Sequence, residues 1–176
     1  SRTCWKGEPA PEQTLESTFL HSASFRLCVH LTRQVQECLN GLQLDQIWWR
    51  PNEASNAIGN LVLHCVGSTR FYIGHVIGNS DFVRNRDTEF SERRSLPVAE
   101  LLAHLNIAIE EADDVLSHLD PATLLTPAER ALKPAIVMDI ISLQVAHYAL
   151  HVGQIAYATK LLNANAIDEI WRKTQP

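Results

Sequence analysis

His147 and His151 stand four residues apart in a chain of 176 residues. On an α-helix that spacing places both imidazoles on one face, one turn apart, where they can share a metal ion. Gln144, His147, His151 and Gln154 step by 3, 4 and 3 residues and form one polar seam. Residues 140–159 around the seam contain no Asp, Glu, Lys or Arg. Hydrogen-bonding groups in so apolar a segment need partners. A divalent metal is one such partner, with Gln144 or Gln154 holding the imidazoles from behind. The alternatives are that the four side chains bond one another or line a polar dimer interface.

A catalytic site of three-histidine type needs a third ligand. His64, in the apolar run IGNLVLHCVG, is the candidate. His75 shares its helix face but lies roughly 16 Å further along the axis, out of reach of the same ion. His21, His30, His104 and His118, with His75, read as surface or satisfied histidines. Arg70 is the single formal charge of its helical segment, placed either to hold a substrate carboxylate or to pair with a buried carboxyl. Arg84 and Arg86, in RNRDTEF, either rim an anion site or are ordinary surface arginines. Tyr157 either donates a hydrogen bond to substrate near the seam or packs in the core. Cys65 points about 100° away from His64 on a helix and reads as a buried, unreactive thiol.

These residues must be positioned by helices. Apolar residues recurring every three and four positions predict helices over residues 14–42, 56–77, 97–119 and 136–164. Asn40-Gly41 and Gly78-Asn79 read as stops, Ser55 or Asn56 and Ser95 as N-caps, and Pro97 as a first-turn residue. Glu110, Glu111, Asp113 and Asp114 are expected to face water. The fourth helix, the most apolar, is expected at the centre of the core. Connections of roughly 13 to 17 residues show no strand alternation and favour crossover connections over a plain up-and-down arrangement. The expected fold is all-α, a four-helix bundle with long crossover connections. Residues 1–13 read as a disordered leader and residues 14–170 as a single domain.

Composition narrows the function. A net charge of −5 excludes a strongly basic nucleic-acid binder. The histidines and glutamines within residues 140–159 argue against a membrane span. The four cysteines form no CxxC, and Cys28 and Cys38 would lie roughly 15 Å apart on one helix, so reduced thiols in a cytoplasmic protein are expected. HExxH, GxSxG, GxGxxG, a P-loop and a Glu-x-x-His pair are all absent.

The runs WWRPNEASNAIGNLVLH, GSTRFYI, RNRDTEF and AHYALHVGQIAYATKLL resemble the DinB-like (DinB/YfiT-like) superfamily of metalloenzymes, over roughly residues 14–163. The resemblance implies a four-helix bundle in which His64, His147 and His151 hold one divalent metal, zinc or nickel. It also implies a homodimer acting on a small-molecule substrate. Some members transfer low-molecular-weight thiols such as bacillithiol or mycothiol, and others are thiol-dependent isomerases. The expected activity is therefore a metal-dependent thiol S-transferase. The rivals are a metal-dependent hydrolase and a non-catalytic metal-binding bundle.

Overall fold

Thr14 begins the first helix with a reciprocal cap. Its hydroxyl accepts from the Ser17 amide, and the Ser17 hydroxyl accepts from the Thr14 amide. The computed structural model describes residues 14–174, the side chains of 167–169 excepted. The expected leader, with Cys4, lies outside the described residues.

Helix α1 covers residues 15–40 and is wound as a π-helix over Phe25–Leu31. There the loosened Leu27 carbonyl accepts from the Thr32 hydroxyl (2.8 Å), which in turn accepts from the buried Tyr148 hydroxyl (2.9 Å). Helix α2 is the short Leu44–Ile47. Helix α3 covers residues 58–77, α-helical over Ile58–Thr69 and π-helical over Arg70–Ile77. Helix α4 is Arg86–Ser91, α5 Val98–His118, α6 Val137–Leu162 and α7 Ala164–Thr174. The elements of the described residues are all helices. Among the described residues the only extended pairing is a single bridge between Pro127 and Ile136, at the entry to α6.

The four periodic segments match α1, α3, α5 and α6 to within two residues at each end. The stops hold: Gly41 follows α1, and Gly78 follows α3 with Asn79 in the left-handed region at φ 59°. The caps differ. Ala57 precedes α3, and Asn60 reaches back to accept from its amide (3.4 Å). Pro97 precedes α5 as its cap residue, without a side-chain acceptor. Helices α2 and α4 are too short to show a period. Helix α7 spans about three turns, ANAIDEIWRKT, and buries Ile170.

Helix α3 rather than α6 is central. It packs on α4, α5 and α6 and buries ten residues of Ile58–Thr69. Helix α6 leaves Leu143, Leu150, Tyr157 and Leu161 in solvent. An uncharged stretch signals low charge, not full burial, and here one apolar stripe of α6 stays uncovered. Leu27, Leu39, Ile73, Leu101, Leu105, Ile141, Tyr148 and Ile155 form the fully buried centre. Among the described residues no helix is long and apolar enough to cross a membrane.

Gly59 sets the approach of α3 to the chain before it. A Cβ there would lie 2.7 Å from Trp48 Cζ2, and the Trp48 indole is itself fixed by its N–H donated to the Leu96 carbonyl (3.1 Å). Gly59→Ala is therefore expected to destabilise by about 1–3 kcal/mol, the usual penalty of overpacking, read as a lower denaturant midpoint with unchanged slope.

Candidate metal centre

Helix α3 supplies His64, which is buried, and α6 supplies His147 and His151, one turn apart. His64 Nε2 and His151 Nε2 each lie 3.0 Å from His147 Nε2, and all three lie within 4.8 Å of one another. The rings meet edge to face, with centroids 4.6 to 4.9 Å apart.

The groups behind the imidazoles settle their tautomers. His64 Nδ1 is 2.8 Å from Glu89 Oε2, a carboxylate oxygen that can only accept, so Nδ1 carries the proton and Nε2 a lone pair. An Arg84 nitrogen lies 3.1 Å from the same Nδ1, but Arg84 is already bidentate on Glu89 at 2.7 and 2.8 Å. His151 Nδ1 donates to Gln154 Oε1 at 2.7 Å, so its Nε2 also presents a lone pair. Two lone pairs thus face His147 Nε2, which has at most one proton to offer. His147 Nδ1 is buried with no hydrogen-bond partner among the described residues. At least one central lone pair is left without a proton, and a cation satisfies all three. An ion with bonds of about 2.0–2.1 Å in tetrahedral geometry sets its nitrogens roughly 3.3 Å apart, close to the 3.0 Å separations that His147 makes with His64 and His151. Three imidazole donors fit a borderline transition metal, a class that takes in zinc, copper, iron and nickel.

Local electrostatics keep the ligands in the form a metal needs. Burial, reinforced by the neighbouring His151 and His64, pushes His147 down to about 4. Burial also lowers His151, against the hydrogen bond to Gln154. For Glu89 burial acts upward, but hydrogen bonds from Arg84 and His64 outweigh it and hold the carboxyl below its usual range. For a histidine whose folded pKa is depressed, the neutral form is the native one. Stability is full above the unfolded value near 6.5 and falls as pH drops toward about 4. Melting in the presence of a chelator is therefore expected to show the midpoint declining across that window, and His147→Gln to flatten the decline.

Glu89 comes from the connection after α3. The Asn85 side chain caps α4 by accepting from the Thr88 amide, and Asn60 of α3 donates to the Glu89 and Glu92 carbonyls at 3.0 and 3.1 Å. Gly67, one turn beyond His64, leaves the space that the Glu89 carboxylate fills, because a Cβ at 67 would collide with Glu89 Oε1. The ring of Phe90 lies 4.6 Å from that of His64, and the Arg86 guanidinium sits 4.9 Å over Phe90. The space in front of the triad, about 520 Å³, is also lined by Tyr72, Arg84 and Arg86, and by no Asp or Glu among the described residues.

The sequence model of a family described as "Protein of unknown function (DUF1572)" matches residues 15–172, nearly the whole described chain. The chain belongs to that family. No curated protein matches this DUF1572 chain.

The other predicted site residues in this DUF1572 protein fall as follows. Gln154 of the seam lies against His151, its Oε1 2.7 Å from the ring Nδ1. Gln144 does not reach the triad; it is fully buried and donates to the Ser68 and Thr69 hydroxyls at 3.3 and 2.8 Å. Its side-chain amide N–H group is the seam's cross-link to α3 rather than a support for the imidazoles. Arg70 pairs with Glu111 (2.8 Å) and stacks on Phe82, so its charge is met within the protein. Glu111 is accordingly half-buried instead of facing water, while Glu110, Asp113 and Asp114 are exposed. Tyr157 is 68% exposed and lines a groove beside the triad instead of packing in the core. Arg84 is largely buried on Glu89 rather than an ordinary surface arginine. Cys28, Cys38 and Cys65 are free thiols. Burial pushes the Cys65 thiol far above its usual range, with the charge of Glu89 adding to it, so it is inert. His75 donates to the Ser80 carbonyl at 2.7 Å. Glu89 was missed because a lone carboxylate 25 residues from its histidine has no periodic signature.

Proposed function

We propose that this chain is a DinB-like four-helix bundle, with α1, α3, α5 and α6 as its long helices, that works as a metal-dependent thiol S-transferase. His64, His147 and His151 hold one zinc or nickel ion with a coordination position open toward the cavity. The observation that carries the reading is the convergence of three imidazole lone pairs with too few protons to share. A divalent ion held there would supply the positive charge that lowers the pKa of a thiol or water.

The chain's own residues do the rest. Glu89 orients His64 and raises its basicity as a ligand, and Gln154 does the same for His151. Arg84 and Arg86 line the cavity with positive charge and favour an anionic nucleophile or an acidic part of the substrate. No carboxylate is present among the described lining residues to serve as a general base. That favours a nucleophile that ionises readily, a thiol with an ordinary pKa near 8.5, over water. Phe90, Leu132, Leu143 and Leu150 give the cavity apolar walls.

The test is loss of free thiol with alkyl and aryl halides or epoxides, using glutathione, cysteine and glucosamine-containing thiols, on zinc- or nickel-loaded protein. Thiol consumption above the metal-free rate supports transfer. Turnover of esters without added thiol would favour hydrolysis. A cytoplasmic homodimer is part of the same proposal, and sedimentation at micromolar concentration checks its stoichiometry.

A further inference from the structure

A second space adjoins the triad cavity. A groove of about 340 Å³ runs between the segment after α2 and the C-terminal half of α6. It shares Asn56, Leu61 and Gln154 with the cavity in front of the triad. Gln154 is the hinge between them, because its carbonyl oxygen is held by His151 while its side chain lines both spaces. Beyond it, Tyr157 and Leu161 continue along the same helix and face Trp49. From His151 to Leu161 the helix rises about 15 Å.

The two spaces differ in chemistry. The triad cavity holds two arginines and the three histidines, whereas no residue lining the groove carries a formal charge. The groove walls include one indole, one phenol and the aliphatic side chains of Ile58, Leu61, Leu161 and Leu162. Trp49, Tyr157 and Leu161 are 42%, 68% and 61% exposed, so these large apolar surfaces face the groove and are left uncovered by the described residues. Large apolar surface beside a polar centre is the usual composition of a ligand site, in which a few polar groups orient and an apolar wall binds.

The geometry points to the groove as the subsite for a neutral alkyl or aryl tail of the substrate whose reacting end sits at the triad. This inference rests on the metal reading above and adds the substrate class: a molecule with a metal-seeking or anionic head and an apolar tail up to about 15 Å long. Tyr157 and Leu161 are then specificity-determining residues. They bind the tail and do not touch the reacting atoms.

The test uses zinc-loaded protein and three hydroxamates of increasing tail, acetohydroxamate, benzohydroxamate and 6-phenylhexanohydroxamate, with affinity read by calorimetry. Each methylene buried is expected to raise affinity roughly fourfold, so the longest probe is expected to bind at least about tenfold more tightly than acetohydroxamate. Tyr157→Ala and Leu161→Glu alter exposed side chains outside the core, and a melting curve verifies that both fold. Both are expected to remove most of the gain for the long tail while affinity for acetohydroxamate stays the same. Equal affinity for all three probes, or a gain that survives both variants, would overturn the subsite and leave the metal site standing. Failure to bind zinc or acetohydroxamate at all would remove the metal reading and this inference with it. Loss of the tail effect together with a dimer that Leu161→Glu converts to monomer would assign the groove to a second copy of the chain and overturn the subsite.

Discussion

Protein purified without a metal-affinity step is expected to carry about one equivalent of zinc or nickel per chain, and His147→Ala to carry none. His147 is the decisive ligand because it lies between the other two, 3.0 Å from each. Without it, His64 and His151 keep their tautomers, set by Glu89 and Gln154, but offer only two nitrogens to an ion that needs at least three protein ligands. The effect extends to stability. An ion that binds only the folded chain stabilises it by about 4 kcal/mol when its free concentration is a thousand times its dissociation constant. Wild-type protein should therefore melt higher on addition of zinc and the variant should not respond. Elemental mass spectrometry with melting curves checks both parts. A wild-type chain that stays metal-free after incubation with zinc and nickel near neutral pH would remove the site.

The second large effect is expected at Glu89. Its carboxylate is 6% exposed and serves two partners, Arg84 and His64. Glu89→Ala leaves the largely buried Arg84 charge unpaired, and breaking such a pair from one side costs about 3–5 kcal/mol. It also frees His64 to adopt the other tautomer, which turns a proton toward the metal position. Removing an outer partner of a ligating histidine weakens metal affinity by about 10–100-fold. Glu89→Gln separates the two roles. The amide oxygen can still accept from His64 or Arg84, so more of the stability should survive than in Glu89→Ala, while metal affinity falls because the negative charge is gone. Urea unfolding and competition with a chromogenic zinc chelator read the two effects independently. Equal metal affinity in wild type and Glu89→Ala would show that Glu89 acts on stability alone. Gly67→Ala provides a check from the opposite helix. It puts a methyl group where the carboxylate now sits and should shift both measurements in the same direction as Glu89→Ala.

The long helices and the His147–His151 pair were legible in the sequence for one reason: periodicity. A helix turns every 3.6 residues, so apolar spacing marks α1, α3, α5 and α6, and the four-residue step from His147 to His151 places two imidazoles together before any fold is known. His64 was legible as a histidine in an apolar run. What periodicity cannot say is which side of a helix meets which neighbour. Gln144 lies on the seam yet turns to Ser68 and Thr69. Arg70 lies on the ligand-bearing helix yet turns to Glu111. The uncharged α6 keeps one stripe in solvent while α3 takes the centre.

By itself, then, the chain's local pattern determined the long helices and the His147–His151 pair, because both follow from interactions within a few residues; that His64 meets the pair across 83 residues was decided by the packing of α3 on α6. Tertiary structure decided how those histidines are prepared. The Glu89 carboxylate reaches His64 only because a six-residue helix folds back over α3, Asn60 ties it down and Gly67 leaves it room. That contact spans 25 residues and depends on two elements docking, and docking is set by side-chain shape and burial across the whole molecule, which no local spacing encodes.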